Sequence, residues 1–309
     1  MNPLTTHLDN YLKLRRQLGY KLRGTDLLLR HFVRFAQQKR TAFITAKLAM
    51  EWATHPPHLV PEYKAKRLGL VRRFAQYVSA LDERTEVPAL KLLPFPTCRR
   101  DPFLYRAADI LRLMDVARQI DPNYPLKGAS CATLIGLLAV TGMRVGEAIG
   151  LDCEDVDLTH GLVTVQHAKG DKPRLVPLHR SSQRALRHYA ALRDEVFPQP
   201  FCSSFFVSER GTRFSYSMAH RWFQIIARQV GLRQPNGQLG PRLHALRHHF
   251  AIQTMLRWYR SKTDVEARLP ELSTYLGHAQ VRDTYWYLSS VPELLRLATR
   301  RCQRKEAGR

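Results

Sequence analysis

The chain has 309 residues, enough for two ordinary domains, and its 44% of hydrophobic residues is typical of a globular protein and not of a disordered one. No apolar run reaches the roughly 18–20 residues that a membrane span needs, and the N-terminus lacks the apolar core of a secretory signal. Lys and Arg number 49 against 26 Asp and Glu, a formal net charge of +23. We therefore predict a soluble cytoplasmic protein with no membrane partner, and the charge favours nucleic acid as the partner over a merely basic, solvated surface.

The cysteines are odd in number and scattered, and no two of them form a C-x-x-C pair. This pattern argues against a disulfide framework and against a cysteine zinc site, and it fits a reducing compartment. The five positions are Cys98, Cys131, Cys153, Cys202 and Cys302.

Residues 1–93 are predicted to form a helical domain, because apolar residues recur there at helical spacing. The three apolar stripes are Leu8, Tyr11 and Leu12; Leu28, Phe32, Phe35 and Ala36; and Leu68, Val71, Phe74, Ala75, Val78 and Leu81. Basic side chains surround the third stripe, namely Lys64, Lys66, Arg67, Arg72 and Arg73. A solvated helix face and a helix laid against DNA phosphates explain this basic set equally well.

A proline-rich, basic stretch at residues 94–103 is predicted to be a linker, so that residues 104–309 form a second domain. Most of this domain has helical patterns, and a TGM turn precedes the short helix RVGEAIGL. Residues 161–178 instead alternate apolar and polar side chains around the turn KGDK, which predicts a β-hairpin. The second domain is therefore predicted to be mainly helical with a small β-sheet.

Two places early in the second domain carry polar residues that suit chemistry. Arg144 follows the TGM turn, and Glu147 lies one helical turn later on the same face. By themselves these two would form a surface salt bridge. Lys169 lies at the tip of the predicted hairpin, where a lysine is ordinarily solvated.

Two further places follow near the C-terminus. In LHALRHHF, His244 and Arg247 share a helix face, and His248 stands four residues after His244. That spacing invites a metal site, but the hydrolytic zinc motif needs a Glu where Ala245 stands. In YLGHAQVRDTYWYL, His278 follows a glycine turn, and two tyrosines lie two positions apart on opposite helix faces.

Taken in order and spacing, these motifs resemble the tyrosine recombinases, or phage-type integrases. The resemblance is carried by TGMRVGE, HAKGDKPRLVPL, LHALRHHF, YLGH and the tyrosine after it, and it covers most of residues 100–300. It implies a helical N-terminal core-binding domain and an α+β catalytic domain that form a C-shaped clamp around DNA.

The resemblance also implies a role for each matching residue. Arg144 and Arg247 would clamp the scissile phosphate, and Glu147 would be an orienting residue. Tyr287, nine residues beyond His278, would be the nucleophile, which leaves Tyr285, with Trp286, as a packing residue. The implied catalytic set is Arg144, Lys169, His244, Arg247, His278 and Tyr287. The DNA contacts are predicted to be Lys64, Lys66, Arg67, Arg72, Arg73, Lys172 and Arg174.

The function implied is site-specific DNA recombination through a 3′-phosphotyrosyl intermediate, with no cofactor and no catalytic metal. The partners would be double-stranded DNA and further copies of the chain, as a dimer on each site and a tetramer in synapsis. The source would be a bacterial mobile element, and the protein would be cytoplasmic and associated with the nucleoid. Two alternatives stay open, a type IB-like DNA topoisomerase and a non-catalytic, sequence-specific DNA-binding protein.

Overall fold

The computed structural model describes residues 2–94, 102–166, 173–234, 240–261, 263–278 and 280–307. The chain divides into two compact units, Met1–Arg99 and Arg100–Arg309. The predicted linker at 94–103 falls largely on residues 95–101, outside the described residues, as do Lys169 and Lys172 in the hairpin.

The described residues of the N-terminal unit form four helices: α1 (Pro3–Gln17), α2 (Arg23–Gln38), α3 (Ala46–Thr54) and α4 (Pro61–Val78). Leu8, Phe32, Trp52 and Phe74 come from all four helices and are almost completely buried in one shared core. Most of the three predicted stripes is confirmed as core. Leu81 is an exception, because α4 ends at Val78 and leaves the Leu81 side chain 56% exposed.

The second unit begins with the helices α5 (Ala107–Arg118), α6 (Pro125–Thr141) and α7 (Val145–Ile149), followed by strands β1 (Val156–Asp157), β2 (Leu162–Val165) and β3 (Arg174–Pro177). Its remaining helices are α8 (Arg180–Val196), α9 (Tyr216–Gln229), α10 (Leu243–Arg260), α11 (Val265–Leu276), α12 (Arg282–Ser290) and α13 (Pro292–Ala307). The fold is thus mainly helical with a small sheet, as predicted.

The sheet is antiparallel in the order β1-β2-β3 and pairs Val163 with Val176. The predicted hairpin strands are β2 and β3, while the two-residue β1 was not predicted. Val163, Val165 and Val176 point into the core and are nearly inaccessible. The hairpin is therefore anchored by one apolar face.

Two glycine turns position the helices that carry the polar residues. Gly142 ends α6 at φ 62°, and Gly277 ends α11 at φ 66°, both in the left-handed conformation that glycine adopts without strain. A Cβ at Gly142 would lie 2.5 Å from Cδ1 of Phe250 and 3.0 Å from Cδ2 of Leu276. The backbone of the TGM turn therefore packs directly against α10 and α11.

Gly142→Ala is expected to lower the free energy of unfolding by about 2 kcal/mol or more, because it adds left-handed backbone strain to a steric overlap. Differential scanning calorimetry of the full chain measures this as a lower unfolding temperature of the second unit. Gly146→Ala is the matched control, since a Cβ there meets nothing within 4 Å. Equal unfolding temperatures for the two variants would contradict the expectation.

Candidate active site

Arg144 lies in the turn between α6 and α7, where Glu147 holds it from two sides. The backbone N–H of Arg144 donates to Oε2 of Glu147 at 2.8 Å, and its Nη1 donates to Oε1 at 2.7 Å. Glu147 thereby caps the start of α7 and orients the guanidinium with the same carboxylate. The pair is not the ordinary surface salt bridge that its spacing alone would give, because the Glu147 side chain is only 5% exposed.

Arg174 joins this pair from strand β3. Its guanidinium donates to both carboxylate oxygens of Glu147, at 2.6 Å and 3.2 Å, and its side chain is 13% exposed. Burial alone would raise the pKa of Glu147, but hydrogen bonds from Arg174 and Arg144 outweigh it and hold that pKa below its usual range. Arg174 was predicted as a DNA contact; the structure pairs its largely buried side chain with Glu147 instead.

Arg247 lies on α10 with its side chain almost completely buried. Its Nη1 donates to the carbonyl oxygen of Gly142 at 2.9 Å, and its Nη2 donates to that of Leu276 at 2.6 Å. These carbonyls lie at the ends of α6 and α11, where helices leave acceptors without internal partners. Burial and the nearby Arg144 lower the pKa of Arg247 to about 10, so the side chain stays protonated at neutral pH.

The three consecutive residues Leu276, Gly277 and His278 bring the site together. The Leu276 carbonyl accepts from Arg247, and the Gly277 carbonyl accepts from Nη2 of Arg144. The ring of His278 stacks on that of Tyr287, with 6.5 Å between centroids and 25° between planes. One glycine turn thus contacts both predicted clamp arginines and the predicted nucleophile.

The tyrosine hydroxyl lies in a cluster of aromatic and histidine rings. A hydrogen bond of 2.9 Å joins the Tyr287 hydroxyl to Nδ1 of His248, and the His244 ring lies edge-on to His248 at 4.7 Å. Nδ1 of His278 bonds the Thr284 hydroxyl at 2.8 Å. His248 and His278 therefore flank the phenol, and His244 lies against His248.

The two neighbouring tyrosines differ sharply in environment. Tyr287 is 2% exposed, whereas Tyr285 is 47% exposed. The expectation that Tyr285 packs in the core is therefore wrong, because α12 turns that side chain to solvent. Tyr287 lies against His248 and His278.

The model of the phage integrase family matches residues 105–293. The "Putative integrase/recombinase y4rB" of Sinorhizobium fredii is 41% identical over 309 residues, covering 99% of this chain and 98% of that protein. The tyrosine recombinase XerD of Neisseria meningitidis is 30% identical over 225 residues, covering 72% and 71%. The chain belongs to the phage integrase family.

Solved structures of tyrosine recombinases share its fold. An integrase of the transposon Tn1549, in complex with transposon right-end DNA, aligns with a TM-score of 0.66 at 17% identity over 96% of this chain and 98% of that one. The recombinase XerH, bound to a palindromic difH substrate, aligns with a TM-score of 0.62 at 20% identity over 83% and 72%. The family match and the relatives y4rB and XerD identify the chain as a tyrosine-type site-specific recombinase, and they support that activity over the topoisomerase and the non-catalytic binder.

The recombinase has one site residue that sequence reasoning missed. His248 was considered as a metal ligand beside His244, yet its Nδ1 bonds the Tyr287 hydroxyl. Its position directly after Arg247 on α10 was the only local signal. His249, next along the helix, instead lies against Tyr105, and burial lowers its pKa.

In the N-terminal unit of the recombinase, the basic residues predicted to contact DNA differ in their exposure to solvent. Arg67 is 5% exposed, lies over the Trp52 ring at 4.0 Å and donates to the Trp52 carbonyl, so it is a packing residue and not a surface phosphate contact. Lys64 and Arg72 are partly buried and each donates to a backbone carbonyl. Lys66 and Arg73 are exposed.

Within the described residues of the recombinase, no three His, Cys, Asp or Glu side chains gather closely enough to hold a metal ion. Over that same part of the chain, no helix has both the length and the apolar character needed to cross a membrane.

Proposed function

We propose that Tyr287 cleaves DNA by attacking a phosphodiester held by Arg144 and Arg247. The observation that carries this proposal is the turn Leu276–His278, whose three residues contact Arg247, Arg144 and Tyr287 in succession. Guanidinium groups fixed by backbone carbonyls are preorganised donors for an anion and need no reorganisation during reaction. His244 and His278 complete the described part of the proposed catalytic set, with Glu147 orienting Arg144.

The chemistry follows from the negative charge of the phosphodiester. Attack on a phosphodiester produces a pentavalent state with extra negative charge on the non-bridging oxygens, which two guanidiniums stabilise more than the ground state. The phenol becomes a 3′-phosphotyrosyl ester, and Lys169 would give a proton to the departing 5′ oxygen. This ester conserves the energy of the original bond, so rejoining to another strand requires neither ATP nor a metal.

The partner in this proposal is double-stranded DNA. XerH bound to difH and the Tn1549 integrase bound to transposon DNA support it, as does the formal charge of +23. The N-terminal unit would be the core-binding domain and the second unit the catalytic domain. The proposed DNA contacts are Lys64, Lys66, Arg72, Arg73 and Lys172.

The biological setting in this proposal is a bacterial mobile element. The bacterial relative y4rB is named a putative integrase/recombinase, which supports an integrase of bacterial origin. The protein would bind as a dimer on each site, form a tetramer in synapsis, and act in the cytoplasm on the nucleoid. Inverted repeats around a short spacer in the DNA that flanks its gene would identify the site.

The test is covalent trapping in the presence of EDTA. Nicked duplexes tiled from the DNA that flanks the gene are incubated with the protein, and SDS-resistant adducts are counted. We expect an adduct at one site with an unchanged rate in EDTA, because the arginines take the place of metal ions. An adduct that disappears in EDTA would restore a metal mechanism, and the absence of any adduct would leave a DNA-binding protein.

A further inference from the structure

The proposed nucleophile needs a group that removes its proton. An unperturbed tyrosine has a pKa of about 10, so at neutral pH it attacks slowly without a base. The phenol of Tyr287 is nearly inaccessible to solvent, which limits direct proton transfer to bulk water. The base should therefore be found among the neighbours of the hydroxyl.

The three histidines of this cluster are not equivalent. His248 is within hydrogen-bonding distance of the hydroxyl, at 2.9 Å from Nδ1. His278 presents the face of its ring to Tyr287, and its Nδ1 bonds Thr284. His244 lies at the edge of His248 and is exposed.

We propose that His248 is the general base that activates Tyr287. This rests on the proposed function, in which Tyr287 is the nucleophile. With its proton on Nε2, the neutral imidazole accepts the phenol proton on Nδ1 as the phenolic oxygen bonds to phosphorus. The bond from phosphorus to the 5′ oxygen breaks, and that oxygen takes a proton from the general acid. On rejoining, the 5′ hydroxyl attacks phosphorus and gives its proton back to the general acid, while the imidazolium returns its proton to the departing phenolate.

The charges around this pair suit the transfer. Arg247 precedes His248 on α10, and its positive charge and Tyr287 attract each other once the phenol ionises. An imidazolium beside Arg247 would by itself be disfavoured, because both groups are positively charged. The proton transfer is therefore most favourable when the negative charge of the phosphorane develops. The titratable neighbours of His248 are His244 and Arg247 on the same helix, together with His278 and Tyr287 from the segments packed against it.

The test compares His248→Asn, His248→Ala and the matched control His249→Asn in single-turnover cleavage of a nicked duplex. Asparagine keeps a polar atom near the Nδ1 position, so it can hold the hydroxyl in place but cannot take its proton. We expect both His248 variants to form the adduct about a hundredfold or more slowly, and His249→Asn to remain within a few fold of the wild-type protein. Full activity of His248→Asn would overturn the proposal in favour of a positioning role.

A second measurement separates chemistry from folding. Difluorotyrosine at position 287 has a more acidic phenol, which depends less on a base. We expect the defect of His248→Asn to shrink at least tenfold in that background. An equal defect with tyrosine and difluorotyrosine would overturn the proposal, as would recovery on a 5′-phosphorothiolate substrate, whose leaving group needs no acid.

Failure of this inference is distinguishable from failure of the proposed function. If Tyr287→Phe loses the adduct while His248→Asn cleaves normally, only the assignment of the base is wrong. If Tyr287→Phe still forms the adduct, the nucleophile itself is wrong.

Discussion

Replacing Tyr287 with phenylalanine is expected to abolish the covalent protein–DNA adduct while DNA affinity stays within a few fold of the wild-type value. The substitution removes one oxygen atom and leaves the ring that packs beside His248, Trp286 and His278. Loss of the buried hydrogen bond to His248 should cost about 1 kcal/mol of stability, which leaves the fold intact. Adduct formation is measured on denaturing gels and affinity by mobility shift on the same nicked duplex.

The matched control for this experiment is Tyr285→Phe on the same helix. Tyr285 is exposed, so loss of its hydroxyl should affect neither packing nor cleavage. Loss of the adduct in Tyr285→Phe, together with its survival in Tyr287→Phe, would reverse the assignment of the nucleophile.

Arg144→Ala and Arg247→Ala are each expected to slow cleavage about a thousandfold. Removal of a preorganised donor to a developing oxyanion costs a few kcal/mol in other enzymes, and both arginines are held by backbone carbonyls of the same turn. Arg118→Ala serves as the control, since it removes an exposed arginine of the same unit that pairs only at the surface with Asp115. The measurement is the single-turnover rate of adduct formation at saturating DNA.

Arg247 is buried, so its loss affects folding as well as rate. Arg247→Ala leaves the carbonyls of Gly142 and Leu276 without their donor, and circular dichroism must accompany the kinetics. Arg247→Lys keeps the positive charge but loses the planar guanidinium. The variant should fold, and it should cleave at least tenfold more slowly than the wild-type protein. Near-normal cleavage by a folded Arg144→Ala or Arg247→Lys variant would contradict the clamp.

Local pattern was sufficient for the fold class and for much of the helical core. The apolar residues of α1, α2 and α4 repeat at helical spacing. Any helix that buries one face has this spacing, whichever element it packs against. Leu81 shows the limit, because a pattern does not show where a helix ends. Arg67 shows another: periodicity placed it on a basic face, and only packing against Trp52 made it an interior residue.

The sequence by itself determined the motifs and their order, and the family resemblance that they carry implied Tyr287 over Tyr285 as the nucleophile, because Tyr287 lies nine residues after His278. Tertiary structure alone decided that Arg174 belongs with Glu147 and that His248 contacts the Tyr287 hydroxyl. The reason is distance along the chain. Arg144 reaches the carbonyl of Gly277 across 133 positions, and Arg247 reaches that of Gly142 across 105. Spacing within a helix indicates which side chains share a face, but contacts between remote segments arise only when the helices pack.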